Sequence, residues 1–190
     1  MIVIVGAGAL GSHVALFLRN LERSIVIVDF DRVEQKNVLA QFHTKMGLRK
    51  NKAQALSQAI QGMFGVSVST VPHKITKDNV NMVLDGAELV IDCTDNIEAR
   101  NTIQGFVTDV DTPCLHGALS ADGTFARVMW AEDFVADAEG EDGEATCIDG
   151  EHLPFFAAAA AYLAVEAKRF LDTGKKQSFQ LTPAGLVRLT

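Results

Sequence analysis

The sequence predicts an α/β fold in which helices cover a doubly wound, mostly parallel sheet. Two observations support this prediction. Short apolar runs alternate with helical segments over the first two-thirds of the chain, as in proteins built from repeated strand–helix–strand units. The first apolar run, Ile2–Val5, leads directly into the glycine-rich stretch VGAGALGSHVA and then into a helix. We expect residues 1–190 to form a single domain, with antiparallel strands toward the C-terminus.

Each element follows from its local pattern. Ile2–Val5 is apolar throughout, as expected of a strand buried on both faces. The other predicted strands are residues 24–28, 66–71, 88–92, 113–118 and 123–130, followed by a hairpin over 182–185. Apolar residues at helical spacing predict helices over residues 9–20, 50–64, 77–84, 97–107 and the alanine-rich 153–171. Residues 131–151 contain nine acids and no lysine or arginine, and we interpret them as a flexible surface loop.

The composition excludes several classes of protein. With 190 residues, 48% of them hydrophobic and 22% charged, the chain resembles an ordinary soluble domain. A formal charge of −7 argues against a nucleic-acid-binding surface. No apolar run approaches the roughly 20 residues that cross a bilayer, and the start of the chain lacks the basic region of a signal peptide. Three cysteines in dissimilar contexts, none paired as CxxC, favour a reducing cytoplasm and predict no zinc site.

The glycine-rich stretch places Gly6, Gly8 and Gly11 in GxGxxG spacing between a strand and a helix. In that context the backbone can approach a phosphate, and the helix N-terminus offers free N–H groups to it. Asp29 lies 18 residues after Gly11, where the second strand should end, and its carboxylate could bind ribose hydroxyls. These features indicate a Rossmann-like nucleotide site, and by themselves they would suit NAD.

The stretch VIDCTDN ends a later predicted strand with Asp92, Asp95 and Asn96. Ligands of open α/β sheets bind at this edge, and one of these acids could hold Mg²⁺ on a triphosphate. The alternative is that Asp95 or Asn96 caps the following helix.

Three cations, Arg49, Lys50 and Lys52, open the predicted helix over 50–64. Cations at a helix N-terminus oppose the helix dipole, so these side chains suit an anionic ligand. The alternative is a solvated basic face.

Taken together, these motifs resemble the ThiF/MoeB group of enzymes, which adenylate sulfur-carrier and ubiquitin-like proteins. That group shows a glycine loop, a DxDxVxxSNLxRQ segment, a lysine in GxxKAxA and then DCTDN followed by an arginine. Here Asp29, Asp31, Val33, Asn37 and Gln41 fall at matching spacing. Lys52 in KAQA and DCTDNIEARN match the later elements, with Lys52 one residue closer to Asn37 than is usual. The resemblance covers essentially the whole chain.

The resemblance implies a reaction in which the C-terminal glycine carboxylate of a small β-grasp carrier, ending in Gly-Gly, attacks the α-phosphate of ATP. Asp29 would hold the ribose, while Asp31, Asn37 and Asn96 would line the nucleotide. Lys52 would neutralise phosphate, with Lys50 as the alternative cation because of the spacing difference. Asp95 would carry Mg²⁺, Gln41 would order the loop around Asn37, and the protein would be a homodimer.

The sequence departs from the family pattern at three points. The arginine of NLxRQ is replaced by Ala40, and the two CxxC pairs are missing. Because the sequence begins at the first predicted strand, we also expect the N-terminal extension that commonly supplies an arginine across the dimer to be absent. Cys147 matches the family cysteine that can bind the activated carrier covalently, although the acids around it would disfavour a thiolate.

Two alternative functions therefore stay open. One is a catalytically weak family member that binds nucleotide or carrier as a module, and the other is an NAD(P)-dependent oxidoreductase. Cys93 and Cys114 are expected to pack in the core, and His116 is expected to be a structural hydrogen-bonding residue rather than a general base.

Overall fold

A computed structural model describes residues 1–120, 122–134 and 150–189. Within these ranges the strands form one eight-stranded sheet in the order β3-β2-β1-β4-β5-β6-β7-β8. The strands are β1 (Ile2–Val5), β2 (Ile25–Val28), β3 (Ser69–Val71), β4 (Leu89–Asp92), β5 (Cys114–Leu119), β6 (Ala126–Trp130), β7 (Phe179–Thr182) and β8 (Gly185–Arg188). Strands β1 to β5 run parallel, and β5 to β8 pair antiparallel. The predicted fold class is confirmed.

Six α-helices and one 3₁₀ helix connect the strands within the described ranges. They are α1 (Ala9–Leu18), α2 (Asn37–Ala40), the 3₁₀ helix Lys45–Gly47, α3 (Lys52–Phe64), α4 (Val80–Leu84), α5 (Ile97–Asp109) and α6 (Leu153–Thr173). None of the helices in the described ranges combines the length and the apolar character that a bilayer crossing requires.

The centre of the sheet is buried on both faces, and its strands β1 and β2 are apolar at every position. In β1 the alternate residues Ile2 and Ile4 pack into one hydrophobic cluster, with α1, α3 and α6. Val3 and Val5 pack into a second cluster, with α4 and α5. Strand side chains alternate between faces, so a run of four apolar residues serves two cores at once.

Some boundaries differ from the predicted ones. Helix α1 ends at Leu18, where the Arg19 guanidinium donates to the Leu16 carbonyl. Helix α4 begins only at Val80, because the Asn79 side chain accepts a hydrogen bond from the Thr76 N–H and closes a turn before it. Helix α2 and the 3₁₀ helix were not predicted. Most of the acidic segment 131–151, including Cys147, lies outside the described residues.

The sheet order places the site. Strands β1 and β4 are neighbours, yet the helices that follow them, α1 and α5, pack on opposite faces of the sheet. Their connections therefore diverge at the carboxyl ends of the two strands and leave a crevice there. This is the position where ligands bind in open α/β sheets.

Candidate functional site

A pocket lies in this crevice, at the carboxyl ends of β1, β2, β3 and β4. The pocket has a volume of about 80 Å³ and is open to solvent on one side. Residues from four connections meet there: Gly6 and Gly8, Asp29 to Asp31, His73 to Ile75, and Cys93 to Asn96, together with Lys52 and Ala99.

The glycine loop is built by close backbone contacts. Gly6 has φ +94°, a conformation that favours glycine, and a Cβ there would lie 2.7 Å from the Cys93 carbonyl oxygen. A Cβ on Gly11 would lie 1.9 Å from the Gly6 carbonyl oxygen, so Gly11 allows helix α1 to pack against the loop. Gly8 lines the pocket, and a Cβ there would meet no protein atom within 4 Å. The space beside Gly8 is therefore free for a ligand.

Asp29 supports the glycine loop as well as lining the pocket. One carboxylate oxygen accepts a hydrogen bond from the Ala7 N–H at 2.6 Å, and the other accepts one from the Asp31 N–H at 2.8 Å. Asp29 is 9% exposed, and burial raises the pKa of its carboxyl while these hydrogen bonds and Lys52 oppose that rise. Each oxygen keeps a second lone pair, so the group can still bind a hydroxyl in the pocket.

Lys52, the first residue of α3, brings a cation into the pocket. Its ammonium lies 3.1 Å from the Asp31 carboxylate, and its side chain is only 11% exposed. Lys50 does not line this pocket: its ammonium donates to the Gln58 side chain at 2.8 Å. Asn51, between the two, caps α3 and donates to the Asp29 and Asp31 carbonyls, which fixes the backbone that presents Lys52.

Asp95 and Asn96 both line the pocket, but their side chains are used differently. The Asn96 side chain accepts from the Ala99 N–H at 2.8 Å and caps α5. The structure thus shows the alternative role, the helix cap, for Asn96, while the residue also lines the pocket. Asp95 is exposed, and no described residue donates a hydrogen bond to its carboxylate. Its charge is therefore available to a ligand or a cation.

A buried network holds the backbone beside Asp95. Asp92 is fully buried and accepts hydrogen bonds from the Thr94 N–H and hydroxyl, at 2.9 and 2.7 Å. The Arg100 guanidinium donates to the Thr94 and Gly117 carbonyls. Burial would raise the pKa of Asp92, but the hydrogen bond from His116 and the charge of Arg100 lower it below its usual value.

His116 lies beneath this network and does not line the pocket. It is 2% exposed, and its ring nitrogens lie 2.8 Å from the Asp92 carboxylate and 2.8 Å from the Gln104 side-chain oxygen. The structure therefore agrees with the expected structural role. Cys114 is buried and Cys93 is half-buried against the core, and burial raises the pKa of both thiols, as expected of packing residues.

Like Gly11 and Lys50, the predicted site residues Asn37 and Gln41 do not line the pocket. Asn37 is 7% exposed, and its side chain accepts from the Glu34 N–H at 2.8 Å. The backbone N–H of Gln41 donates to the Asn37 carbonyl at 2.9 Å, whereas its side-chain oxygen is buried and has no partner among the described residues. Both therefore shape the loop that follows β2. Ala40, in the same loop, is fully buried.

Several lining residues were not anticipated from the sequence. Phe30 follows Asp29, and His73, Lys74 and Ile75 follow β3. The ammonium of Lys74 lies 2.6 Å from the Glu98 carboxylate. Their position after a parallel strand was the available signal, since the carboxyl ends of such strands face one edge of a sheet.

The pocket carries more negative than positive charge. Asp29, Asp31 and Asp95 contribute carboxylates, while Lys52 and Lys74 contribute ammonium groups. No group of three or more histidine, cysteine or acidic side chains arranged for a metal occurs in the described part of the chain. Mg²⁺ needs only one or two carboxylates when phosphate oxygens and water complete its shell, and Asp95 fits that requirement.

This fold and site define an α/β domain of the Rossmann type with a polar pocket at its switch point. The chain belongs to the ThiF family, whose model matches residues 1–184.

Relatives of known name agree with this assignment. The chain is 31% identical to the SAMP-activating enzyme E1 of Haloferax volcanii over 121 residues, 62% of this chain and 45% of that protein. It is also 31% identical to the sulfur carrier protein ThiS adenylyltransferase of Bacillus subtilis over 121 residues, 61% of this chain and 36% of that protein. The aligned region is thus less than half the length of either relative.

Solved structures share the fold. The crystal structure of Escherichia coli MccB with ATP matches 100% of this chain and 63% of its own, with a TM-score of 0.78 and 18% identity. The crystal structure of PaaA matches 99% of this chain and 62% of its own, with a TM-score of 0.76 and 17% identity.

Proposed function

We propose that this chain adenylates the C-terminal glycine of a small sulfur-carrier or ubiquitin-like protein at the expense of ATP. One observation carries the proposal: the glycine loop, Asp29, Lys52 and Asp95 converge in one pocket at the switch point of the sheet. The relatives named above act on carriers of this kind, and their adenylating activity is what we extend to this chain.

In the proposed reaction a carboxylate oxygen of the carrier attacks the α-phosphorus of ATP. The bond from that phosphorus to the oxygen bridging the α- and β-phosphates breaks, and pyrophosphate leaves with the electron pair. Lys52 would offset charge on the phosphates, and Asp29 would orient the ribose. Catalysis of this type consists mainly of positioning and charge stabilisation.

Asp95 would hold Mg²⁺, which when bound would neutralise phosphate charge. The charge balance of the pocket supports this assignment. Three carboxylates face two ammonium groups, so the tetra-anionic substrate would enter a site that is already negative. A divalent cation at Asp95 would reverse that balance next to the phosphates.

We also propose that residues 1–190 act as one adenylation domain in a homodimer in the cytoplasm. Tyr162 at 46% and Val165 at 64% exposure lie three residues apart on α6, and this is the surface on which we place the second copy. The described cysteines, Cys93 and Cys114, are unpaired, in keeping with a reducing compartment. Because Cys147 lies outside the described residues, its covalent role stays a prediction.

The decisive test is exchange of radiolabelled pyrophosphate into ATP in the presence of a ThiS-type carrier. Lys52→Ala and Asp95→Ala should each lower exchange by about 100-fold or more, because each removes a charge that faces the phosphates. Lys45→Ala and Asp85→Ala, which change exposed residues that do not line the pocket, are the matched controls.

A second candidate, a nucleotide- or carrier-binding module, is favoured by Ala40. It is fully buried where the family pattern has a phosphate-binding arginine. Tight ATP binding without exchange would favour this candidate. Binding of NADH in preference to ATP would contradict both readings.

A further inference from the structure

A second groove lies beside the nucleotide pocket and is not used in the proposed reaction. A short antiparallel ribbon builds it. The Val33 N–H donates to the Lys50 carbonyl, and the Arg49 N–H donates to the Val33 carbonyl, each at 2.9 Å. Lys52 lies on the pocket side of this ribbon, whereas Arg32, Arg49 and Lys50 line the other groove. We call the latter the basic groove.

The positive charges of the basic groove are not compensated by acids. The Arg32 guanidinium donates to the Arg49 carbonyl at 2.7 Å, and the Lys50 ammonium donates to the Gln58 side-chain oxygen at 2.8 Å. Both partners are neutral. None of the three cations forms an ion pair with a carboxylate of the described residues, and no acidic residue lines the groove. In a chain of net charge −7, this is a local excess of positive charge.

Arg49 adopts a backbone conformation that is unfavourable for its side chain. Its φ of 68° lies in the left-handed region, where glycine or asparagine would be less strained. The turn is held by the Lys50 N–H, which donates to the Gly47 carbonyl at 3.0 Å. Strain of this kind persists where the surroundings enforce it, often at binding sites.

The shape of the basic groove favours a polypeptide over a small anion. The groove has a volume of about 410 Å³ and is open, and its three cationic side chains are exposed. Sites for small molecules bury most of their ligand, which this groove would not do. A segment with several carboxylates could contact the three cations at once and cover the exposed ring of Phe30.

The basic groove lies directly beside the pocket of the proposed reaction. Phe30 lines both the nucleotide pocket and the basic groove, so a ligand in one lies next to a ligand in the other. We propose that the basic groove docks an acidic segment of the partner protein whose C-terminus enters the pocket. This inference rests on the proposed function. The negative charge elsewhere on the chain would repel the same segment and so orient it.

The test uses a fluorescein-labelled peptide of consecutive glutamates ending in Gly-Gly, and the same peptide with glutamines. Binding to the full chain is followed by fluorescence anisotropy. The glutamate peptide should bind, the glutamine peptide should not, and affinity should fall with added salt. The combined variant Arg32→Gln, Arg49→Gln and Lys50→Gln should bind the glutamate peptide about tenfold more weakly. Arg49→Gly removes one cation while relieving the strain, so it should stay folded and also bind more weakly.

A matched control neutralises three exposed cations outside the groove: Lys77→Gln, Lys175→Gln and Arg188→Gln. An equal loss of affinity in this control would overturn the proposal, because net charge alone would then explain binding. Equal binding of both peptides would overturn it too. If inorganic pyrophosphate displaces the peptide at constant ionic strength with ATP saturating, the groove holds a small anion and the docking proposal is wrong.

ATP affinity and peptide affinity distinguish a failure of the docking proposal from a failure of the proposed function. The groove variant should keep wild-type ATP affinity when no carrier is present, whereas Lys52→Ala should lose ATP affinity and still bind the glutamate peptide. Loss of ATP affinity in the groove variant would contradict the separation of the two sites.

Discussion

His43 should make the folded chain sensitive to acid. The residue is 6% exposed, and Nε2 donates to the Ala7 carbonyl at 2.8 Å, which makes Nε2 the protonated nitrogen. Nδ1 is buried and has no partner among the described residues. A second proton there would create a buried charge without an acceptor. Burial above all, together with the charges of Lys52 and His13, lowers the pKa of His43 from 6.5 to about 4.

The direction of the effect follows from where the proton binds. The unfolded chain takes up a proton on His43 near pH 6.5, whereas the folded chain takes one up only near pH 4. The stability from a neutral His43 is therefore complete above pH 6.5 and is lost as pH falls toward 4. This pKa difference lowers the free energy of unfolding by roughly 3 kcal/mol once the pH is well below 4, and by about 2 kcal/mol at pH 5.

The measurement is urea unfolding of the wild type and of His43→Gln at pH 7 and pH 5. Glutamine can still donate to the Ala7 carbonyl but does not titrate. The wild type should lose about 2 kcal/mol more than the variant over this interval. His73→Gln, which changes an exposed histidine, should lose as much as the wild type. If wild type and His43→Gln lose equal stability, His43 titrates alike in both states and the reasoning is refuted.

Two substitutions test the glycine loop and the Asp95 loop. Gly11→Ala should unfold the chain or destabilise it by several kcal/mol, because its Cβ would lie 1.9 Å from the Gly6 carbonyl oxygen. The control Gly62→Ala in α3 would meet no atom within 4 Å and should stabilise the chain by about 0.5–1 kcal/mol. Thermal denaturation separates them, and similar melting temperatures would contradict the packing argument. Asn96→Ala removes the cap of α5 and should lower the free energy of unfolding, measured by chemical denaturation, by about 1 kcal/mol. Asn101→Ala, at an exposed position within α5, should have little effect, and equal losses in the two variants would argue against the cap.

The parallel sheet, once predicted, also predicts that motifs far apart in the sequence lie close together in the fold. In a parallel sheet the carboxyl ends of the strands share one edge, so the glycine loop, Asp29 and Asp95 had to approach one another once the strands were assigned. Lys52 joined them because α3 begins at the same edge. The side chains of the intervening loops could not be deduced in this way. Whether Asn37 points toward the ligand or into the loop depends on the Glu34 N–H, a contact that spacing does not encode.

Sequence spacing also could not decide whether Lys50 or Lys52 faces the pocket. Spacing within the motif left both lysines open, since a loop that is one residue shorter can be absorbed at several points. The backbone decides it: Lys52 begins α3 and its N–H donates to the Asp31 carbonyl at 2.8 Å, whereas Lys50 lies in the ribbon, where its carbonyl accepts from the Val33 N–H. Lys52 faces the pocket as a consequence, and Lys50 faces the basic groove. The change from ribbon to helix between these two residues thus places two cations at two sites.

The structure changes what the alanine at position 40 implies for the proposed function. The family pattern has an arginine there, and its loss suggested a weak phosphate site. The residue is fully buried in α2, and the pocket has Lys74 as a second cation that the pattern did not anticipate. Lys74 is paired with Glu98, so its charge becomes available to phosphate only if that exposed pair opens. Exposed ion pairs contribute about 0–1 kcal/mol, and a triphosphate would compete well for the lysine. Under the proposed function, the missing arginine would therefore leave the pocket with less fixed positive charge, while Lys52 and Lys74 would still be available to phosphate.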